Sequence, residues 1–282
     1  MKEPDNSLVK IFQDASAHKE VADIIARHLV NREDIRVVAL EGLELLNFKD
    51  ILDLGCGFGF FTQGLKNKVS QDARFMGIDC HPEYEWFYFQ SCEKVGPHHR
   101  KKFFSSGCDI IANMGRRSFD LILCSYALYF FPGIIVEIPR ILKKDGYFVV
   151  ITHALPHYYQ FIDLVRKILK QYGEEVYEVT PYESLIKKFS DQNGLELLTP
   201  YFNHITEKRY KSTMVFHQED YEDLVTYFNF KLPFFIPWTM DNKEELQHLI
   251  LEAVISHLHQ EKELRITKDD VIYICSDPVD HF

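Results

Sequence analysis

No apolar run reaches the roughly 18 residues needed to cross a bilayer, and the opening MKEPDNSLVK has no apolar core of a secretory signal. These absences exclude a membrane partner and predict a cytoplasmic protein. The six cysteines form no C-x-x-C pair and no His/Cys set at zinc-finger spacing, so neither a disulfide framework nor a metal site is expected. Basic runs are missing too. With 42 acids against 32 Lys and Arg and a net charge of −10, nucleic acid is excluded as a partner, because its binding depends on clustered cations. Low-complexity segments and internal repeats are absent. What remains is ordinary globular composition, 46% hydrophobic and 26% charged, in a chain long enough for one large α/β domain with insertions.

Glycine is scarce, 13 in 282 residues, yet three stand at 55, 57 and 59 in ILDLGCGFGFF. Residues up to Leu54 read as a short buried strand with an acid, Asp53, near its end. The stretch after the glycines reads as a helix. A strand that stops at closely spaced glycines and turns into a helix brings bare backbone amides against a ligand. The spacing is G-x-G-x-G, which departs from the G-x-G-x-x-G of dinucleotide sites. An acid two residues before the first glycine repels a diphosphate and suits a ligand with an ammonium group. Further on, ARFMGID reads as a second strand ending at Asp79, twenty residues past Gly59, where an adenosine-binding fold places the carboxylate for the ribose hydroxyls.

This stretch resembles motif I of the class I S-adenosylmethionine-dependent methyltransferases, D/E-x-G-x-G-x-G, with Asp53, Gly55, Gly57 and Gly59 at its fixed positions. SFDLILCSYALYFF at 118–131 resembles motif IV of the same family: FDLIL as a central strand, CSYALYFF as the loop at its carboxyl end. The N/D-P-P-Y/F tetrapeptide of many base and amide methylating enzymes is replaced by CSYA. IVEIPRILKKDGYFVVIT resembles the helix, glycine turn and fifth strand, with Pro139 either opening or kinking the helix. The resemblance implies a seven-stranded Rossmann-like sheet, mostly parallel with an antiparallel last strand (VIYICS), helices on both faces and a helical cap insert. It implies S-adenosylmethionine as co-substrate and S-adenosylhomocysteine as product. It implies that Asp109 after strand three caps the adenine amino group. Cys56, Cys80, Ile110, Cys124 and Ser125 are placed beside the cofactor with these residues.

Around the core, residues 1–48 read as an N-terminal helical segment, 49–216 with 263–282 as the core, and 217–262 as a cap on the substrate side. Val21, Ile24, Ile25 and Leu29 give one helix over 8–30 an apolar face. That segment either packs on the sheet or, through Phe12 and His18, closes over the cofactor. FIDLVRKILKQYG at 161–173 reads as an amphipathic helix, and T-P-Y-E at 180–183 as a capping box with Pro at the first helical position. Residues 194–216 alternate as one long or broken strand. A helix at 218–229 and another opened by Asp241 complete the insert.

Methyl transfer asks mainly for proximity and exclusion of water, with a base for hydroxyl or protonated amine acceptors. His153 and Tyr126 are the catalytic candidates; Tyr129, His157, Tyr158, Phe235 and Trp238 are the acceptor wall. The leading expectation is an enzyme methylating an N or O atom of a small molecule, monomeric or homodimeric. The alternatives are a protein or peptide side-chain methyltransferase and a binding protein that keeps the cofactor without turnover.

Overall fold

The computed structural model describes residues 7–96, 99–171, 179–236 and 243–279. Trp238 and the helix-opening Asp241 lie outside them. The chain divides into two compact units: a sheet unit of Glu33–Leu155, Lys187–Tyr210 and Asp270–Phe282, and a helical unit of Met1–Arg32, Pro156–Ile186 and Lys211–Asp269. The segments expected from the sequence divide the chain at other points. Here residues 33–48 belong with the sheet, and residues 156–186, 211–216 and 263–269 with the helices.

The sheet unit carries β1 (Asp50–Leu54), β2 (Arg74–Asp79), β3 (Arg100–Ser105), β4 (Phe119–Ser125), β5 (Leu142–His153), β6 (Phe202–Tyr210) and β9 (Asp270–Pro278), in the order β3-β2-β1-β4-β5-β9-β6. β1 to β5 run parallel, and β9 lies antiparallel between β5 and β6. This is the expected α/β architecture. In β1, Ile51, Leu52 and Leu54 are fully buried, as are Leu121 to Cys124 in β4. Strands buried on both faces need near-continuous apolar runs, and these two have them. The edges are managed differently. β3 begins Arg-Lys-Lys and β6 reads FNHITEKRY with most positions exposed, so charge discourages pairing with another chain.

Several local readings change. The expected turn at Gly146 is a bulge inside β5: five steps from Leu142 to Tyr147 face two from Phe119 to Leu121. A Cβ on Gly146 would lie 2.7 Å from the Asp120 carbonyl, so only glycine lets the bulge close. Pro139 sits in the first turn of a one-turn helix, Ile138–Ile141, where its missing N–H costs nothing. The helix over 8–30 is interrupted: Asp14 caps Ala15–His28 by accepting from the Ala17 N–H at 2.9 Å. The stretch 194–216 is three elements: a helix Gly194–Leu198, then β6, then β7 (Thr213–His217) in a different sheet.

In the helical unit β7 pairs antiparallel with β8 (Glu263–Thr267), a strand the sequence reading did not separate. Helices Tyr159–Gln171, Pro181–Ile186, Tyr221–Lys231 and Lys243–Glu261 accompany this ribbon. No helix among the described residues is long and apolar enough to cross a membrane. Both halves of the expected capping box form. The Thr180 N–H donates to Glu183 Oε2 at 2.8 Å, and the Glu183 N–H donates to Thr180 Oγ1 at 3.2 Å. Thr180→Ala leaves one first-turn donor without its acceptor, and thermal or urea unfolding should show a loss of about 1 kcal/mol.

Candidate active site

After β1 the chain reverses through Gly55, Gly57 and Gly59, with φ of 62°, 47° and 77°. All three are left-handed, a conformation that side chains disfavour. Their surroundings differ. A Cβ on Gly55 would lie 2.3 Å from Ala127 Cβ and one on Gly59 2.6 Å from Ser91 Cβ, whereas one on Gly57 would meet nothing nearer than 4.0 Å. Gly55 and Gly59 therefore let neighbouring elements pack, and Gly57 alone faces open space.

Asp79, at the end of β2, is tied to this turn. Its Oδ2 accepts from the Gly57 N–H at 2.9 Å and its Oδ1 from the His81 N–H at 3.0 Å. Desolvation raises its pKa, opposed by these backbone donors. Each carboxylate oxygen has a second lone pair, so the half-buried group can accept further hydrogen bonds. Asp53 is 1% exposed and accepts from Thr62 Oγ1 at 2.6 Å through Oδ2. Its Oδ1 is buried without a hydrogen-bond partner among the described residues. Burial first, with the Asp79 charge adding to it, raises its pKa to about 7. An orphaned buried carboxyl oxygen and an open glycine turn fit a ligand that carries an ammonium group and approaches the backbone closely.

The other candidate cofactor residues have varied settings. Cys56 is buried at the turn and Cys80 is exposed next to Asp79. Ile110 lies in the short turn Cys108–Asn113, and the side chain of Asp109 is outside the described set. Cys124 is fully buried in β4, and Ser125 ends that strand half-buried.

A second constellation forms at the carboxyl ends of β4 and β5. The β5–β9 register sets His153 opposite Asp270. Asp270 is 2% exposed; its Oδ1 lies 2.9 Å from His153 Nδ1, and its Oδ2 accepts from the Tyr126 hydroxyl at 2.8 Å. The His153 ring stacks on Tyr126 and Tyr129, with ring centres 5.0 Å and 5.6 Å apart. Tyr126 has φ +54°, a strained value for a tyrosine that costs roughly 1–3 kcal/mol and recurs at functional sites. Tyr129 is buried, and desolvation together with the Asp270 charge raises its pKa. With Asp270 ionised, the Nδ1–H of His153 points at the carboxylate, which leaves Nε2 as the basic nitrogen. The sequence reading missed Asp270. Its only trace there is an acid immediately before an apolar strand.

The remaining wall candidates fall in the helical unit. His157, Tyr158 and Phe235 are 1–3% exposed. Phe235 packs on Phe161, Tyr182 and Tyr158 at 4.9–6.3 Å, and the Tyr182 hydroxyl lies 2.5 Å from His157 Nδ1. All three are buried and pack on their aromatic neighbours.

A sequence profile described as a methyltransferase domain matches residues 47–212, more than half of the chain. Among solved structures, a Bacillus halodurans protein assigned as a methyltransferase is 13% identical, with a TM-score of 0.51 over 88% of this chain and 100% of that chain. The YcgJ protein from Bacillus subtilis is 17% identical, with a TM-score of 0.49 over 92% of this chain and 98% of that one. A phosphoethanolamine N-methyltransferase from Haemonchus contortus is 13% identical, with a TM-score of 0.45 over 87% of this chain and 52% of that one. No curated protein sequence matches.

Two measurements check this geometry. A carboxyl whose folded pKa lies above its unfolded value stabilises the fold below the unfolded pKa, and that contribution is lost as pH rises through the folded one. Wild-type stability relative to Asp53→Asn should therefore fall between pH 3.8 and about 7 and level off above, read by urea titration at several pH values. The slope is at most about 1.4 kcal/mol per pH unit. Gly55→Ala combines a left-handed alanine with an overlap against Ala127, so its unfolding free energy should drop by about 2 kcal/mol or more.

Proposed function

The chain belongs to the class I S-adenosylmethionine-dependent methyltransferases, and from that premise we propose that it methylates a nitrogen or oxygen atom of a small molecule. S-Adenosylmethionine, its co-substrate, supplies a methyl group already activated as a sulfonium. The protein's own residues then have to bind, orient, exclude water and manage one proton.

We assign Asp79 to the ribose hydroxyls through its remaining lone pairs, with the backbone of Gly55, Cys56, Gly57 and Gly59 beneath the donor. Asp53 faces the ammonium end. Cys80, Asp109 and Ile110 take the adenine side, and Cys124 and Ser125 close the seat from β4. On the acceptor side, His153 accepts the proton of a hydroxyl or protonated amine on Nε2, and Asp270 stabilises the imidazolium through Nδ1. Tyr126 and Tyr129 present ring faces, which suit a cationic amine or an aromatic hydroxyl.

The observation that carries this reading is the buried Asp270 carboxylate bonded to both His153 and Tyr126 at the end of the central strands. A buried carboxylate is costly unless it is paired and hydrogen-bonded, and pairing Asp270 with His153 lets the imidazole take up a proton without leaving an unpaired buried charge. Aromatic rings around a base favour a compact acceptor over an extended one.

The test is release of S-adenosylhomocysteine when the full-length protein is incubated with donor and panels of small amines and phenols. With an accepted substrate, His153→Ala should lower kcat by about 10²–10⁴-fold while donor affinity stays unchanged. Asp270→Asn should lower kcat less and displace the pH profile, because it acts through the imidazole. Full turnover of His153→Ala would remove the base from the reaction.

A further inference from the structure

Beneath the glycine turn, Asp53 stands in a setting that suits a neutral group better than a charged one. It pairs in register with Gly77 of β2 and Leu123 of β4 and is 1% exposed. Thr62, on the helix Phe60–Gln63 that follows the turn, donates to Oδ2 at 2.6 Å, and Oδ1 has no hydrogen-bond partner among the described residues. The titratable groups that act with it are Asp79 on β2, Cys56 in the turn, and Tyr88 and Cys92 on the helix Glu85–Val95. Burial raises the pKa of Cys56, Tyr88 and Cys92, so these three stay neutral. Among the described residues no cation pairs with Asp53.

An ionised Asp53 is therefore a buried charge with one hydroxyl donor, an orphaned oxygen and a second acid as its neighbour. Burying a charge is costly without a counter-ion, and a like charge adds to the cost. A protonated carboxyl avoids both. Burial raises its pKa, the Thr62 hydroxyl opposes the rise and Asp79 adds to it, for a value of about 7. The open side of the turn is at Gly57, whose N–H is held by Asp79 at 2.9 Å. A cation that arrives there supplies the counter-charge that Asp53 lacks.

We propose that Asp53 is a neutral carboxyl in the free protein and gives up its proton when the methyl donor binds, so that its charge appears only when a ligand ammonium is there to meet it. The carboxyl O–H bond breaks, its electron pair stays on the carboxylate and the proton passes to solvent. The inference rests on the placement of Asp53 at the ammonium end of the donor given above, and it makes Asp53 a specificity determinant for that end. S-Adenosylmethionine and S-adenosylhomocysteine both carry the ammonium and both displace the proton. 5′-Methylthioadenosine has the nucleoside without the amino-acid end and leaves the proton in place. Donor affinity consequently rises with pH up to the pKa of the free protein's carboxyl and levels off above it.

Calorimetric titration of the full-length protein with these three ligands tests it, at about pH 6 and pH 7, below the range in which an α-amino group titrates. In buffers of unlike ionisation enthalpy, S-adenosylmethionine and S-adenosylhomocysteine should release protons and 5′-methylthioadenosine none. Donor affinity should rise roughly fivefold between the two pH values, as a carboxyl of pKa about 7 that must ionise requires. Asp53→Asn should abolish both the release and the rise. Thr62→Val removes a hydrogen bond that favours the carboxylate, so the midpoint of the affinity profile should move to higher pH. Infrared difference spectra should show a protonated-carboxyl band lost on donor binding. Donor binding without proton release, or release unaltered in Asp53→Asn, would overturn the proposal while leaving the donor site in place. Equal release with 5′-methylthioadenosine would overturn the role of the ammonium. Should Asp53→Asn fail to fold, Thr62→Val and the infrared band of the unmodified protein still decide.

Discussion

The hydrogen bond from the Gly57 amide to the Asp79 carboxylate joins the turn after β1 to the end of β2, and the proposed cofactor seat depends on it. Parallel neighbours exchange hydrogen bonds along their length but not beyond their ends, where each chain is free to diverge. Here a side chain closes that gap. It holds the amide-rich turn open at Gly57 while Gly55 and Gly59 are pressed against Ala127 and Ser91. Burial first, and then the same carboxylate, raise the proton affinity of Asp53 beneath the turn, so two acids on neighbouring strands share one electrostatic environment.

How much of this was legible in the sequence follows from how local each feature is. The glycine turn, the acid at its head and the Thr180–Glu183 capping box are written within a few residues, and all three appear as read. Asp270 could not be read in the same way. Its partner His153 lies 117 residues away, and only the antiparallel register of β9 sets the two opposite each other. The stretch 194–216 misleads for a related reason: β6 is an edge strand, solvated along most of its length, so its alternation carries little information about where pairing stops. Gly146 signals a break in regularity without revealing that the break is a bulge.

Aromatic residues were the least informative. Tyr126, Tyr129, Tyr158 and Phe235 look alike as sequence, yet two surround an imidazole held by a buried acid and two fill the interior of the helical unit. What separates them is a buried carboxylate: Asp270 accepts from Tyr126 and its charge acts on Tyr129.

The strands that bound the segment 211–269 bring its two ends together. The Lys268 N–H donates to the Ser212 carbonyl at 2.8 Å, and the Ser212 N–H donates to Asp269 Oδ1 at 2.8 Å. A stretch whose entry and exit are clasped side by side imposes little closure entropy on its host, whatever its length. A change in the length of this segment can therefore leave the strands on either side in register, since Tyr210 and Asp270 already stand opposite each other.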